Sequence, residues 1–297
     1  MSNKLRKMTL EKKHNLTGWA FLAPATFLIA VFSFWPMIKA LVLSFQTGKG
    51  RNMQMAGFTN YIRMFQDDVF IQSIKNTFFY FILQVPIMLV VAMVLACILN
   101  KKDLRFKGFF RTMIFVPCTT SLVAYSIIFR SLFANNGLVN YVLVNIGILD
   151  KPYNFLTQPF AAKMVILLGL LWRWTGYNMV FFLSGLQNIE YSVYEAAKID
   201  GASAIQTFFK ITVPLLKPTI LLTAIMSING TLQLFDESIN LTDGGPANAS
   251  ISMSHYIYNL CFKYVPNFGY AAAMSFFILL LVAVLALIQM RVGDKRD

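Results

Sequence analysis

Charge is scarce in this sequence. Asp, Glu, Lys and Arg make up 13% of its 297 residues, where a soluble domain of that length carries about a quarter. Hydrophobic residues make up 57% and mean hydropathy is +0.59. That leaves no room for a large soluble domain and points to a polytopic membrane protein. Histidine is scarcer still, with only His14 and His255 in widely separated segments. Neither a metal cluster nor a histidine-activated nucleophile is expected from them. The three cysteines, Cys97, Cys118 and Cys261, sit in or beside apolar runs, and none falls in a C-x-x-C spacing. They read as packing residues rather than a disulfide or metal framework. No G-x-x-x-x-G-K-[ST] occurs, so the chain encodes no P-loop for ATP. Asp67 and Asp68 are adjacent, diverge from one another and read as a solvated loop. No catalytic residue, metal site or cofactor is assigned, and no repeat or low-complexity tract stands out.

Long apolar runs are what the sequence has. A membrane-spanning helix needs about 20 apolar residues. Six runs qualify: Trp19–Phe45, Thr77–Leu99, Phe109–Phe133, Ala161–Leu186, Pro218–Leu241 and Tyr270–Met290. The first follows a basic stretch but is too long for a signal-peptide core, is interrupted by Pro24 and Pro36, and precedes no small-x-small cleavage site. It is expected to be an uncleaved helix.

The net charge of +13 would suggest nucleic acid in a soluble protein. Here Lys and Arg fall in short loops, where they set topology, and no nucleic-acid partner is expected. Lys4, Arg6, Lys7, Lys12 and Lys13 precede the first run. Lys101, Lys102, Arg105, Lys107 and Arg111 follow the second. Lys198, Lys210 and Lys217 follow the fourth, and Arg291, Lys295 and Arg296 the sixth. The intervening loops are poorer: residues 134–160 hold only Lys151 and residues 242–269 only Lys263. The expectation is an all-α membrane protein with six transmembrane helices and both termini inside. Residues 1–18 form a basic cytoplasmic tail, 19–290 the membrane domain and 291–297 a second cytoplasmic tail. Within residues 134–160, Leu138, Val139, Tyr141, Val142 and Leu143 predict a short interfacial helix.

Two spans carry polar groups that lipid would not tolerate. The fourth holds "WRWTGYN", with Trp172, Arg173, Tyr177 and Asn178. The fifth holds Asn229, Thr231, Gln233 and Asp236. Aromatic faces mixed with amides and carboxylates suit a sugar, so these residues are the expected substrate pathway. The alternative is an Arg173–Asp236 or Arg173–Glu237 pair that only holds helices together. Gly230 reads as a close helix contact or a kink.

The most polar internal stretch is "SVYEAAKIDGASAIQTFFKITVPLLKP", residues 192–218, on the side assigned to the cytoplasm. Ser192 to Glu195 and Ser203 to Gln206 are each spaced as a capping box. Gly201 stands where a helix ends on a left-handed residue, and Pro214 and Pro218 end the second helix. The loop, residues 187–217, is therefore expected to fold as helix, glycine corner, helix.

This string resembles the EAA loop of permease subunits of binding-protein-dependent sugar ABC importers, of the oligosaccharide-uptake class related to the maltose transporter. Glu195, Ala196, Ala197, Asp200, Gly201, Ala202, Ile211, Pro214 and Leu215 match the family pattern. "GFFRTMIFVP", "GLQNI" and "LTDGGP" extend the resemblance over nearly the whole chain. Glu190 departs from it, since these permeases usually carry proline there. The resemblance implies that the loop is a coupling helix between spans 4 and 5, docked on a cytoplasmic ATPase. It implies a transport subunit of the bacterial inner membrane, not an enzyme, forming half of a carbohydrate pathway. Its implied partners are a second homologous permease, two ABC ATPases that bind the ATP, and an extracytoplasmic sugar-binding protein. A permease of the same fold for glycerol phosphate or a polyol is the alternative. In a different class stands a secondary transporter or channel, which would have no ATPase partner.

Overall fold

In hydrocarbon every backbone N–H and C=O must find a partner within the protein, so apolar runs of this length become helices or closed barrels. A computed structural model, which describes residues 10–49, 52–101 and 103–293, is mostly helical. Of the basic residues used for topology, Lys4, Arg6, Lys7, Lys102, Lys295 and Arg296 lie outside the described residues, as does the first half of the 1–18 tail.

The chain opens with a rod, Leu10–Ser44. It consists of α1 (Leu10–Ile29), a π-helical turn (Ala30–Phe34) and α2 (Trp35–Ser44). An antiparallel hairpin follows, β1 (Gln46–Lys49) with β2 (Asn52–Met55), Gln46 opposite Met55. Then come α3 (Thr59–Met64) and the long α4 (Asp68–Asn100). Helix α5 (Lys107–Thr119) meets α6 (Leu122–Leu132) at 98°. A short α7 (Leu138–Asn145) precedes α8 (Pro159–Gln187). Next are α9 (Tyr191–Ile199), α10 (Ala204–Thr207), a π-turn (Phe208–Thr212) and α11 (Val213–Leu215). A 70° bend leads into α12 (Lys217–Leu232). The chain closes with α13 (Asp236–Thr242), α14 (Met253–Tyr258), a π-turn (Asn259–Lys263) and α15 (Phe268–Gly293).

By length and apolarity four helices can cross a membrane, or up to six if each bent pair is one span. Two expectations are corrected. The run Phe109–Phe133 is an elbow, because Thr120 and Ser121 adopt extended backbone immediately after a helix that carries Pro117 in its last turn. The run Pro218–Leu241 stops at Leu232. Residues 233–235 are not helical, and the Leu234 carbonyl accepts from the Ser252 hydroxyl instead of a helical N–H. Helix α7 does form where the short interfacial helix is expected.

Helix α8 is the centre of the bundle, packed along α4 and against α5 and α12. Its Gly176 touches bare backbone: a Cβ built there would lie 1.8 Å from the Ile114 carbonyl oxygen of α5. Small residues in membrane helices allow this close approach. Asp67 corrects another expectation. It is no solvated loop but the N-cap of α4, its Oδ1 accepting from Val69 N and Phe70 N. Its Oδ2 accepts from the Tyr256 and Tyr270 hydroxyls, each at 2.7 Å. Burial pushes this carboxyl up, but the two tyrosines and two backbone donors outweigh it and hold the group below its usual range.

Candidate functional site

The polar residues of the fourth and fifth runs meet around a cavity of about 300 Å³ between α4, α6, α8, α12 and α13. Tyr177 and Asn178 from α8, Thr231 from α12, and Gln233 and Asp236 beyond it all line the cavity. Trp174 supplies an aromatic wall beside Tyr177, the two rings edge to face at 5.8 Å. Two bonds set the frame. The Thr231 hydroxyl donates to Gln84 Oε1 of α4 at 2.6 Å, and the Ser227 hydroxyl donates to Asn178 Oδ1 at 3.3 Å.

Three residues expected in the pathway, Trp172, Arg173 and Asn229, do not line this cavity. Trp172 packs on Tyr125 and Phe129, because residues two apart on a helix diverge by about 200°. Trp174 takes the wall instead. Arg173 is buried behind that wall, where Nη1 donates to the Thr120 carbonyl at 2.7 Å. Its guanidinium lies over the rings of Tyr125 and Trp174, at 5.3 and 5.4 Å. Among the described residues no ion pair joins it to Asp236 or Glu237. The α5–α6 elbow leaves carbonyls unpaired at a helix C-terminus, which attracts a cation. Asn229 is exposed and accepts from the Gln233 amide. Gly230 makes no close helix contact within this chain: a Cβ there meets nothing within 4 Å.

Sequence reasoning missed Gln84. Its signal is a single amide in the apolar run "FILQVP". Glu237, considered only as an ion-pair partner, is buried and lines the cavity.

The loop between α8 and α12 forms a second feature. Ser203 and Gln206 complete the expected capping box: Gln206 N donates to Ser203 Oγ, and Ser203 N to Gln206 Oε1. Gly201 has φ +74°. Ala202 N donates to Ala197 O and Gly201 N to Lys198 O, the Schellman pattern that left-handed glycine permits. The box expected at Ser192 and Glu195 is absent. Helix α9 starts at Tyr191 with Glu190 as N-cap, and the Ser192 hydroxyl donates to Glu190 Oε2 at 3.3 Å. Glu190 has φ −59°, the value proline imposes, so the departure at this position leaves the chain direction intact.

This loop presents its residues outward. Glu195, Ala196, Asp200, Gly201 and Pro214 are exposed, Ala202 and Ile211 half-buried, and Ala197, Thr212 and Leu216 are buried. Ile199 is 86% exposed, Ile205 72% and Phe209 65%. These three side chains form an exposed apolar face outside the apolar runs.

A third polar cluster joins α13 and α14. His255 Nδ1 meets the Ser238 hydroxyl at 2.9 Å, and Nε2 lies 3.6 Å from Asp243 Oδ1. The order Ser, His, Asp resembles a hydrolytic triad, but Ser238 is fully buried and donates to the Ser250 carbonyl at 3.0 Å. Burial holds the His255 imidazole down at about 4, against the attraction of Asp243. It is therefore a neutral structural group at neutral pH.

Comparison with known proteins extends these observations. Residues 68–296 match the family described as binding-protein-dependent transport system inner membrane component. The lactose transport system permease protein LacF of Rhizobium radiobacter is 50% identical over 98% of both chains. The arabinooligosaccharides transport system permease protein AraP of Halalkalibacterium halodurans is 31% identical over 96% of this chain and 90% of its own. A chain of a bacterial alginate ABC transporter, crystallised in complex with an alginate pentasaccharide-bound periplasmic protein, superimposes with a TM-score of 0.83. It is 26% identical, over 95% of this chain and 96% of that one.

Proposed function

The chain belongs to the family of binding-protein-dependent transport system inner membrane components, and on that premise we propose that it is half of the translocation pathway of an ATP-driven sugar importer. The observation that carries this reading is the exposed, doubly capped loop at residues 187–217, joined through one 70° bend to α12, which lines the cavity. A push on α9 is passed through α10 and α11 to α12, which carries Thr231 on the cavity wall. One of two cytoplasmic ABC ATPases grips the loop at Glu195, Ala196, Asp200, Gly201 and Ala202 in a surface groove, with Ala197 seating α9 on the bundle and Ile211 and Pro214 bracing the second helix. The ATPases bind ATP, and this chain needs no cofactor of its own. An extracytoplasmic sugar-binding protein delivers the carbohydrate at the opposite end.

A second, homologous permease completes the pathway. In support, Leu222, Met226, Asn229, Gly230 and Gln233 form one exposed stripe on α12. Two amides on a membrane helix belong against protein or water, not lipid. The sugar fills the cavity lined by Tyr177, Asn178, Thr231, Gln233 and Asp236, with Trp174 beneath its apolar ring face. The protein is a multi-pass subunit of the bacterial inner membrane, residues 19–290 forming the permease domain. Each bent pair counts as one span, giving six, with the tails 1–18 and 291–297 inside.

Two measurements check this. Reconstituted with its partner subunits and the binding protein, the importer is expected to take up radiolabelled lactose only with ATP on the ATPase side. ATP-independent uptake favours a secondary transporter. For topology, single cysteines are placed at Gln206 and Lys151 after Cys97, Cys118 and Cys261 are replaced by serine. An impermeant maleimide on intact cells is expected to label position 151 and spare 206. Labelling at 206 reverses the orientation.

A further inference from the structure

The charges around the cavity select the class of sugar. Among the described residues, Asp236 and Glu237 are the only ionisable acids or bases on the wall, apart from the Tyr177 phenol. Arg173 stands behind it with its guanidinium turned to the Thr120 carbonyl. Glu237 is 4% exposed, and its Oε1 has no hydrogen-bond partner. The Tyr125 hydroxyl lies against the same carboxylate, and Arg173 Nε nearby is buried without a partner. Glu237 Oε1 and Arg173 Nε thus keep unused hydrogen-bonding capacity beside the cavity, a costly arrangement unless something fills it.

We propose that Glu237 is the specificity-determining residue of this pathway, accepting hydrogen bonds from the hydroxyls of an uncharged sugar and excluding saccharides that carry a carboxylate or phosphate. A carboxylate accepts only, so its natural ligand is a donor, and a sugar ring offers neighbouring hydroxyls. An anionic saccharide brings another negative charge to a wall that already holds two acids against one recessed arginine. Like charges in a low-dielectric site repel strongly. The alternative substrate considered from sequence, glycerol phosphate, is excluded on the same ground. The inference rests on the cavity being the sugar pathway.

The test uses the complete importer in nanodiscs without the binding protein, so that only the membrane site selects. Equilibrium binding is measured for radiolabelled lactose and for lactobionate, the same disaccharide bearing one carboxylate. The wild type is expected to prefer lactose by at least about tenfold. Glu237→Gln keeps the shape, removes the charge, and is expected to bring the ratio below about threefold. Should that variant fail to co-purify with its ATPases, Asp236→Asn removes the other charge, and the ratio must fall in the same direction. Equal wild-type affinities, or a ratio unmoved by the substitution, overturn the proposal. Tyr177→Ala separates it from its premise. Unchanged lactose binding there, or no saturable lactose binding to the wild type, overturns the pathway reading itself.

Discussion

Valine in place of Gly176 is expected to remove the protein from the membrane, with its amount in the membrane fraction falling by at least about tenfold on immunoblots. At Gly176 a Cβ would sit 1.8 Å from the Ile114 carbonyl oxygen, 2.7 Å from the Ile114 carbonyl carbon and 3.1 Å from the Phe115 Cα. All three are backbone atoms of α5, so no side-chain rotation relieves the clash. Helix α5 would have to move away from α8, and the elbow that holds Arg173 through Thr120 would move with it. Overpacking a core by a methylene or two costs about 1–3 kcal/mol; displacing a helix from the centre of the bundle exceeds that. Alanine is expected to give a partial loss, since it too overlaps the carbonyl. Gly230→Ala is the control, because its Cβ enters open space and the amount in the membrane should stay at the wild-type level. Equal amounts for Gly176→Val and wild type would show that α5 and α8 do not meet in this way.

Such a contact is invisible in sequence. "WRWTGYN" announces a polar patch in an apolar helix, and Tyr177 and Asn178 on α8, Thr231 on α12, and Gln233 and Asp236 just beyond it do line one cavity. Composition carries that much, because polar groups in membrane helices must converge. Which side of the helix each residue takes is decided by rotation about the axis. That rotation puts Trp174 on the wall and Trp172 on Phe129. Arg173 could be paired with an acid on paper only because the elbow at Thr120 was not foreseen. A bent pair and a straight span have the same hydropathy. Once the bend exposes its carbonyls, they are nearer partners than either acid. Asp67 shows the same limit from the other side. Its adjacency to Asp68 suggested solvent, yet its partners Tyr256 and Tyr270 come from 189 and 203 residues away. Local signals fared better where the structure is local, as with Gly201 and the Ser203–Gln206 box. Even there, Ser192-x-x-Glu195 misled, because the chain enters α9 one residue before Ser192.

Proline at Gly201 is expected to abolish uptake, by about a hundredfold or more, while the protein stays in the membrane at wild-type amounts. Gly201 holds φ +74°, and proline is fixed near −65°. The Gly201 N–H, which donates to the Lys198 carbonyl at 3.2 Å, would also be lost. The left-handed conformation alone is worth about 1–2 kcal/mol and the hydrogen bond about 1 more, so the corner between α9 and α10 must refold. The damage stays local, since Gly201 is exposed and a Cβ there meets nothing within 4 Å. What changes is the angle at which Ile199 and Ile205 are offered to a partner. Glu195→Lys gives the cleaner version of the same test. Because Glu195 is exposed and closes no capping box, reversing its charge should alter stability by less than about 0.5 kcal/mol. Lost uptake in that variant then reports a broken contact with an ATPase rather than a broken helix. Co-purification supplies the second readout: both variants are expected to lose their ATPase subunits in detergent and to keep the second permease. Normal uptake with both substitutions would remove the coupling role from this loop. Loss of the protein itself with Glu195→Lys would show that α9 is packed into the bundle instead of standing outside it.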